Sequence, residues 1–297
     1  MTTLTPSKQL IRDLSAFLEK KSGRPVNIER MMPVYGGDIN QSFHLKTSIG
    51  DLFVKINDAD IYPGMFEKEA RGLATIRLTG EIRVPEIIGT GYSGSTAFLV
   101  LEYIREGRKG PAFWEHFGRQ LAAMHRHTWR QYGLDYDNYI GSLLQINRPD
   151  SSWVNFFIQN RLRYQLNLAA NRGLADTALI KRFERLFDKL HDLFPVEFPH
   201  LLHGDLWSGN FLVDHTGEPV LIDPAIYYGH REMDLAMTRL FGGFDRRFYE
   251  AYDEAFPLQP GWEERLPVYQ LYPLLVHLNL FGPSYLSSIR SVLDRYV

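Results

Sequence analysis

The chain has 297 residues, of which 44% are hydrophobic and 23% charged, with a net charge of −2. That length suffices for one large domain or two lobes with substantial cores. The near-neutral balance leaves no broad basic field for nucleic acid or an anionic membrane. There is no cysteine, so disulfides, thiolate metal sites and cysteine nucleophiles are excluded. The first residues lack the apolar run of a signal peptide, and no stretch approaches the ~18 apolar residues of a membrane helix. The expectation is a cytoplasmic protein that binds neither membrane nor nucleic acid.

Thr5 and Pro6 open a helix as N-cap and first-turn proline. Leu10, Ile11, Leu14, Phe17 and Leu18 share one face of it, and Gly23 stops it. The stretch VNIERMMPVYGGDINQSFHLKTSIGDLFVKI then reads as strand, glycine turn, strand, turn, strand. Gly50-Asp51 is expected to supply the second turn. The adjacent Gly36 and Gly37 let backbone approach a ligand closely. Alternation puts Lys55 on the face opposite Val54 and Ile56.

Residues 62–79 return to a helical period, with Phe66, Ala70, Leu73 and Ile76 on the apolar face. Glu69 lies on that side, whereas Glu67 stands four before Arg71, the spacing of a solvated ion pair. An inward carboxylate needs a cation, since an unpaired buried charge costs several kcal/mol. Lys55 is the natural partner. Two more extended segments follow, in VPEIIGTGYSGSTAFLVLEYI. GTGYSG has the glycine spacing of a dinucleotide fingerprint, but an extended run follows it where that fingerprint needs a helix. It reads as a hairpin turn.

LEYIREGRKGP, residues 101–111, is polar, carries glycine and ends in proline. It divides a sheet-rich lobe (1–103) from a helical lobe (112–297) through a linker (104–111). Helices are expected over 112–129, 152–171 and 175–194, and again from Glu232. His125 and His127 diverge on a helix, so they read as structural rather than metal-binding. The fold class is α+β, and a cleft between lobes is a usual home for a small ligand.

The helical lobe is interrupted by HLLHGDLWSGNFLVDHTGEPVLIDPAIYYGH, residues 200–230. FLVD and PVLID form a hairpin with Gly217 in its turn. Asn210 starts the first strand and Asp223 ends the second, so the two side chains come close at the hairpin base. Two hard oxygen donors there suit Mg²⁺, which takes few protein ligands and completes its shell with phosphate oxygens. Asp205 remains free for a substrate hydroxyl.

HGDLWSGN resembles the catalytic loop of kinase-like phosphotransferases, and IDPA stands where protein kinases carry Asp-Phe-Gly. Asp234 in DLA is typical of the branch acting on small molecules. GGDIN, MFEKEARGLATI, RVPEIIGTG, LDYDNYIGS and IDPAIYYGHREMDLAMTRLFGGF follow one another as in the fructosamine/ketosamine 3-kinase family. The resemblance implies a bilobal protein-kinase-like fold and ATP and Mg²⁺ as cofactors. It implies phosphorylation of the C3 hydroxyl of a ketosamine, either a small molecule or a glycated protein lysine. Asp205 would be the catalytic aspartate, Asn210 and Asp223 the metal ligands, and Lys55 the phosphate contact paired with Glu69. Glu102, Tyr103 and Ile104 would form the hinge at adenine, and Gly36 and Gly37 the phosphate turn. Trp207, Tyr227, His230 and Arg231, with the 135–142 loop, are candidates to line the sugar pocket, and Asp234 would brace the catalytic loop. Some family members carry a cysteine in the glycine turn; here Asp38 stands beside Gly37, which removes thiol-based regulation and adds a negative charge near the phosphates. Kinases of aminoglycosides, choline or homoserine, and a non-catalytic nucleotide-binding module, are the alternatives. The absence of an Ala-Pro-Glu signature argues against a protein kinase.

Overall fold

The computed structural model describes residues 6–35 and 40–297. Thr5, Gly36, Gly37 and Asp38 lie outside the described residues. Helix α1 (Lys8–Ser22) is capped by Ser7, whose hydroxyl accepts from the Leu10 N–H, and Gly23 closes it in the left-handed region. A five-stranded antiparallel sheet follows, built from β1 (Ile28–Val34), β2 (Gln41–Thr47), β3 (Gly50–Asp58), β4 (Ile87–Ser93) and β5 (Thr96–Glu102). Its order is β1-β2-β3-β5-β4. The β2–β3 turn is Ser48-Ile49, two residues earlier than expected, because Gly50 already pairs with Thr47. The Thr47 hydroxyl closes this turn by accepting from the Ile49 N–H and donating to the Gly50 carbonyl.

The period of two sorts the sheet's side chains onto two faces. Val54, Ile56, Phe98 and Val100 pack with Leu10, Leu14 and Leu18 of α1. Ala97, Leu99 and Leu101 pack with Phe66, Leu73 and Ile76 of α2 (Met65–Thr79), which lies on the other side. Lys55 sits opposite Leu99 in the β3–β5 ladder, so it faces α2.

Helices dominate the remainder. Helix α3 (Phe113–Met124) ends before the expected boundary because the chain peels away. Leu201 donates to the His127 carbonyl, and Thr128 bridges His200. A short hairpin of β6 (Asn138–Ile140) and β7 (Leu143–Gln145) occupies the loop after it. The expected helix over 152–171 consists of α4 (Trp153–Phe156), a π-helical stretch Phe157–Arg163 and α5 (Tyr164–Asn171). The next forms α6 (Thr177–Phe187) and α7 (Leu190–Leu193). Beyond the site come α8 (Glu232–Leu240), α9 (Arg246–Ala255), α10 (Trp262–Phe281) and α11 (Leu286–Tyr296). No helix among the described residues is long and apolar enough to cross a membrane.

Two small antiparallel ladders, one nested inside the other in sequence, position the polar residues of 200–230. β9 (Phe211–Val213) pairs with β10 (Pro219–Leu221), the expected hairpin. Outside it, β8 (His200–Leu202) pairs with β11 (Tyr227–Gly229), a pairing the sequence pattern did not suggest. Both loops between the ladders, 203–210 and 222–226, are therefore anchored at each end. Beneath them Phe117 centres an aromatic cluster, 5.1 Å from Phe211 and 5.2 Å from Phe248 between ring centroids.

Helices α3 and α9 approach so closely that a Cβ on Gly118 would stand 2.2 Å from the Phe248 carbonyl oxygen. Gly118→Ala must push the helices apart, and a loss of about 1–3 kcal/mol is expected from such overpacking. Urea denaturation checks this; an unchanged midpoint contradicts the close contact.

Candidate active site

Lys55 and Glu69 reach the cleft from β3 and α2. The Lys55 ammonium lies 2.9 and 3.0 Å from the two Glu69 carboxylate oxygens. It also lies 2.9 Å from Asp223 Oδ1, across the cleft and 168 residues away in sequence. Lys55 is buried, with 4% exposure. Burial works against its charge, but Asp223 and Glu69 outweigh that, and its pKa is raised. Burial also raises Glu69, with Asp223 adding and Lys55 opposing. Three hydrogen bonds from one ammonium favour the ionised arrangement. Glu67 instead accepts from the Tyr92 hydroxyl, and Arg71 lies 3.6 Å from Asp135 and 3.7 Å over the Tyr136 ring. The solvated Glu67–Arg71 pair does not form because the segment before β6 captures Arg71.

Asp223 is the one non-glycine residue with positive φ among the described residues, at 54°. A proline follows it, which disfavours the right-handed helical region at that position. Asp223 Oδ1 is held by Lys55, and Oδ2 has no hydrogen bond among the described residues. Asn210 donates its amide to the Asp205 carbonyl (2.8 Å) and carboxylate (2.9 Å), which leaves Asn210 Oδ1 free to coordinate. The Ile222 N–H donates to the Asn210 carbonyl and ties the two sides of the hairpin base together. One carboxylate oxygen and one amide oxygen, with no cluster of three His, Asp or Glu among the described residues, match a cation that completes its shell with phosphate and water. The donor chemistry fits Mg²⁺.

Asp205 lies in the loop between β8 and β9. Burial pushes its carboxyl up to about 7; the charges of Asp223 and Asp234 add to this and the Asn210 amide opposes it. Asp234, near the start of α8, is buried and accepts from the backbone N–H groups of His203 (2.7 Å) and Gly204 (2.9 Å) and from His125 Nε2 (3.1 Å). Burial opposes its charge, yet these donors lower its pKa. His125 is fixed in turn by the Tyr252 hydroxyl at 2.8 Å. Gly204 is required here: its φ is +82°, and a Cβ would stand 2.1 Å from the Ala225 carbonyl oxygen.

With this geometry in place, comparison with known proteins is informative. The family model described as fructosamine kinase matches residues 10–297. The chain belongs to the fructosamine kinase family. A chloroplastic protein-ribulosamine 3-kinase of Arabidopsis thaliana is 41% identical over 280 residues, covering 93% of this chain and 85% of the plant protein. A crystal structure from Haemophilus somnus, named with the fructosamine-3-kinases, has a TM-score of 0.88 at 31% identity and covers 96% of each chain. An aminoglycoside phosphotransferase crystallised with AMP-PNP and hygromycin B shares the fold alone, with a TM-score of 0.66 at 16% identity over 95% of this chain and 96% of that one. The fold is the bilobal protein-kinase-like one.

Within this family member, the other expected site residues divide. The Glu102 side chain turns to Arg83 and the Glu86 N–H, Tyr103 stacks on His44 at 3.8 Å, and Ile104 is buried. Trp207 folds over Gly209, and its ring meets Phe241 at 6.3 Å. Tyr227 is fully buried; with Asp205, Ile140, Tyr272 and His277 it lines a small cavity. His230 and Arg231 are not at the cleft. His230 stacks on Trp153 at 4.5 Å and meets the Tyr269 hydroxyl at 3.0 Å. Arg231 pairs with Glu197 at 3.0 Å and caps the carbonyls of Phe256 and Pro257. Both serve the core, because β11 and α8 turn them away from the loops. The 135–142 loop bridges the lobes, with the Tyr139 hydroxyl donating to the Pro63 carbonyl and Ile140 in the cavity wall. Amides of the β6–β7 hairpin also brace the segment after Asp223: Asn138 donates to the Ile226 carbonyl and Gln145 to the Ala225 carbonyl, both at 2.9 Å. Nothing in the local pattern of those two residues signalled this.

Asp234→Ala leaves two backbone N–H groups and His125 without their acceptor. A loss of about 2–5 kcal/mol is expected, combining the unsatisfied donors with the broken buried pair. Thermal or urea unfolding of the variant checks this. A near-wild-type stability would show that the catalytic loop is held by other contacts.

Proposed function

We propose that this protein is an ATP-dependent ketosamine 3-kinase, acting in the cytoplasm on the C3 hydroxyl of a sugar joined to an amine. The sugar is a fructosamine, ribulosamine or erythrulosamine, free or on a glycated protein lysine. The observation that carries the reading is Lys55, which bonds at 2.9 Å to Glu69 on its own lobe and at 2.9 Å to Asp223 on the other. That contact joins a phosphate-orienting cation to a metal-binding carboxylate, as phosphoryl transfer requires. Residues 1–103 act as the nucleotide lobe, 104–111 as the hinge segment and 112–297 as the lobe that holds the sugar.

Adenine would meet the backbone of Glu102, Tyr103 and Ile104; Gly36 and Gly37, which lie outside the described residues, are assigned to the phosphates by the family resemblance alone. Asn210 Oδ1 and Asp223 Oδ2 would hold Mg²⁺, which would supply charge neutralisation for the phosphate oxygens. Glu69 keeps Lys55 aimed into the cleft, where its ammonium orients those phosphates. Asp205 orients the C3 hydroxyl and accepts its proton as the oxygen–phosphorus bond forms and the bond to ADP breaks. Trp207 and Tyr227 are assigned to the sugar pocket, and Tyr227 shares a cavity wall with Asp205. Asp234 positions the Asp205 loop through its backbone.

Asp205→Ala is expected to lose about 10²- to 10⁴-fold in turnover on a ketosamine while keeping Mg·ATP binding. A steady-state ATP-consumption assay over a panel of ketosamines, with aminoglycosides and choline as controls, reads this. Turnover within a few-fold of wild type removes Asp205 from the reaction.

Asp223→Ala should abolish the Mg²⁺-dependent part of ATP affinity in calorimetric titration. Unchanged affinity would show that the metal is held elsewhere.

The acid limb follows from Asp205, which must be ionised to take the proton. Its pKa is raised to about 7, so kcat/KM should fall roughly tenfold per pH unit below that value and level off above it. A limb near pH 4 would mean that Asp205 sits in a far more polar environment.

A further inference from the structure

Arg83, in the segment between α2 and β4, belongs to none of the residues assigned above. We propose that it is a positioning residue that ties the nucleotide hinge to the metal-holding hairpin. The inference rests on the kinase reading of the cleft.

The contacts run to three places. One guanidinium nitrogen, Nη2, donates to Glu102 Oε1 at 2.5 Å, at the end of β5 where the hinge begins. The other, Nη1, donates to Asp214 Oδ2, one residue past β9. The Arg83 carbonyl accepts from the Leu221 N–H at 2.9 Å, two residues before Asp223, and Arg83 bridges Val220 in parallel register. A single residue therefore touches the hinge, the strand that begins after Asn210 and the strand that leads into Asp223.

Both carboxylates are prepared for it. Asp214 is buried, and its Oδ1 is occupied by the N–H and hydroxyl of Thr216 and the N–H of Glu218. Oδ2 is left to Arg83. Burial opposes the charge of Asp214, but the Thr216 and Glu218 donors and Arg83 bring its pKa down to about 2. Glu102 uses its second oxygen to accept from the Glu86 N–H, and its own N–H donates to the Glu86 carbonyl. Each carboxylate is thus locked into its own element before Arg83 joins them. A planar fork with donors on two nitrogens can span two such anions, and an ammonium cannot match that geometry. Gly107 supports the same junction: its N–H donates to the Val213 carbonyl, and a Cβ there would overlap the Asp214 carbonyl.

Adenosine touches only the hinge end of the cleft, whereas Mg·ATP must reach both the hinge and Asp223. The latch therefore matters for the ligand that spans the two ends. The test is calorimetric titration of wild type, Arg83→Met and Arg83→Lys with adenosine, ATP and Mg·ATP, at a temperature where each is folded. In Arg83→Met the Mg²⁺-dependent gain in ATP affinity should fall about tenfold, the size of one lost charge-assisted contact. Adenosine affinity should stay within twofold, and Arg83→Lys should fall between the two. A merely structural role would weaken adenosine in step with Mg·ATP, and either that result or a wild-type Mg²⁺-dependent gain in Arg83→Met overturns the proposal. Should Arg83→Met not fold, Arg83→Lys decides by the same comparison, with a loss of roughly threefold expected. Wild-type protein that binds neither adenosine nor Mg·ATP would sink the kinase reading itself, a result distinct from failure of the latch.

Discussion

One lysine bonded to carboxylates of both lobes is the constraint on which the rest of this structure depends. An ammonium as buried as Lys55 costs several kcal/mol unless paired, and so does the largely buried Glu69. Together on β3 and α2 they satisfy one another, which explains why Glu69 stands on the apolar side of its helix. The third partner, Asp223, comes from the other lobe and stays partly exposed, with 43% of its side chain accessible. Two carboxylates on one ammonium leave a net negative charge in the cleft, and that charge favours a cation at the oxygen of Asp223 that Lys55 does not take.

Everything that holds Asp223 in place serves this contact. Its backbone is in the left-handed region, a conformation that costs a non-glycine residue free energy and persists only when neighbours over-determine it. Here the β9–β10 hairpin fixes one side. On the other, Ala225 donates to the His203 carbonyl and accepts from Gln145, and Ile226 accepts from Asn138. Arg161 extends the brace, since its fully buried guanidinium donates to Asn147 Oδ1 at 2.8 Å and lies 3.9 Å over the Tyr227 ring. The segment after Asp223 is thus clamped by side-chain amides from the β6–β7 hairpin.

What the sequence made legible was what local periodicity can encode. Alternation in DLFVKI placed Lys55 opposite Val54 and Ile56, and the helical period placed Glu69 on the apolar face, so their meeting could be anticipated. The β9–β10 hairpin was legible because Gly217 marks its turn between two apolar runs. The β8–β11 ladder was not, because each strand has three residues and the partners are a loop and a hairpin apart. His230 and Arg231 were expected at the site because they belong to the family-like segment IDPAIYYGHRE. Their burial comes from partners that no local pattern reveals: Tyr269 for one, and Glu197 with the Phe256 and Pro257 carbonyls for the other. Arg83 escaped notice for the opposite reason, since a half-exposed arginine after a helix reads as surface until its two carboxylates are seen together.

The three aspartates of the cleft show how one residue type takes three roles by environment alone. Asp234 is the most buried, yet it is anionic because two backbone N–H groups and His125 are aimed at it. The Asp223 carboxylate bonds Lys55 across the cleft. Asp205 has only the Asn210 amide, stands near both other charges, and is the one pushed up to about 7. When neighbouring carboxyls are driven apart in this way, the one that titrates near neutrality is the one able to exchange a proton at physiological pH. The donors around each carboxylate single out Asp205 as the group that changes charge near neutrality.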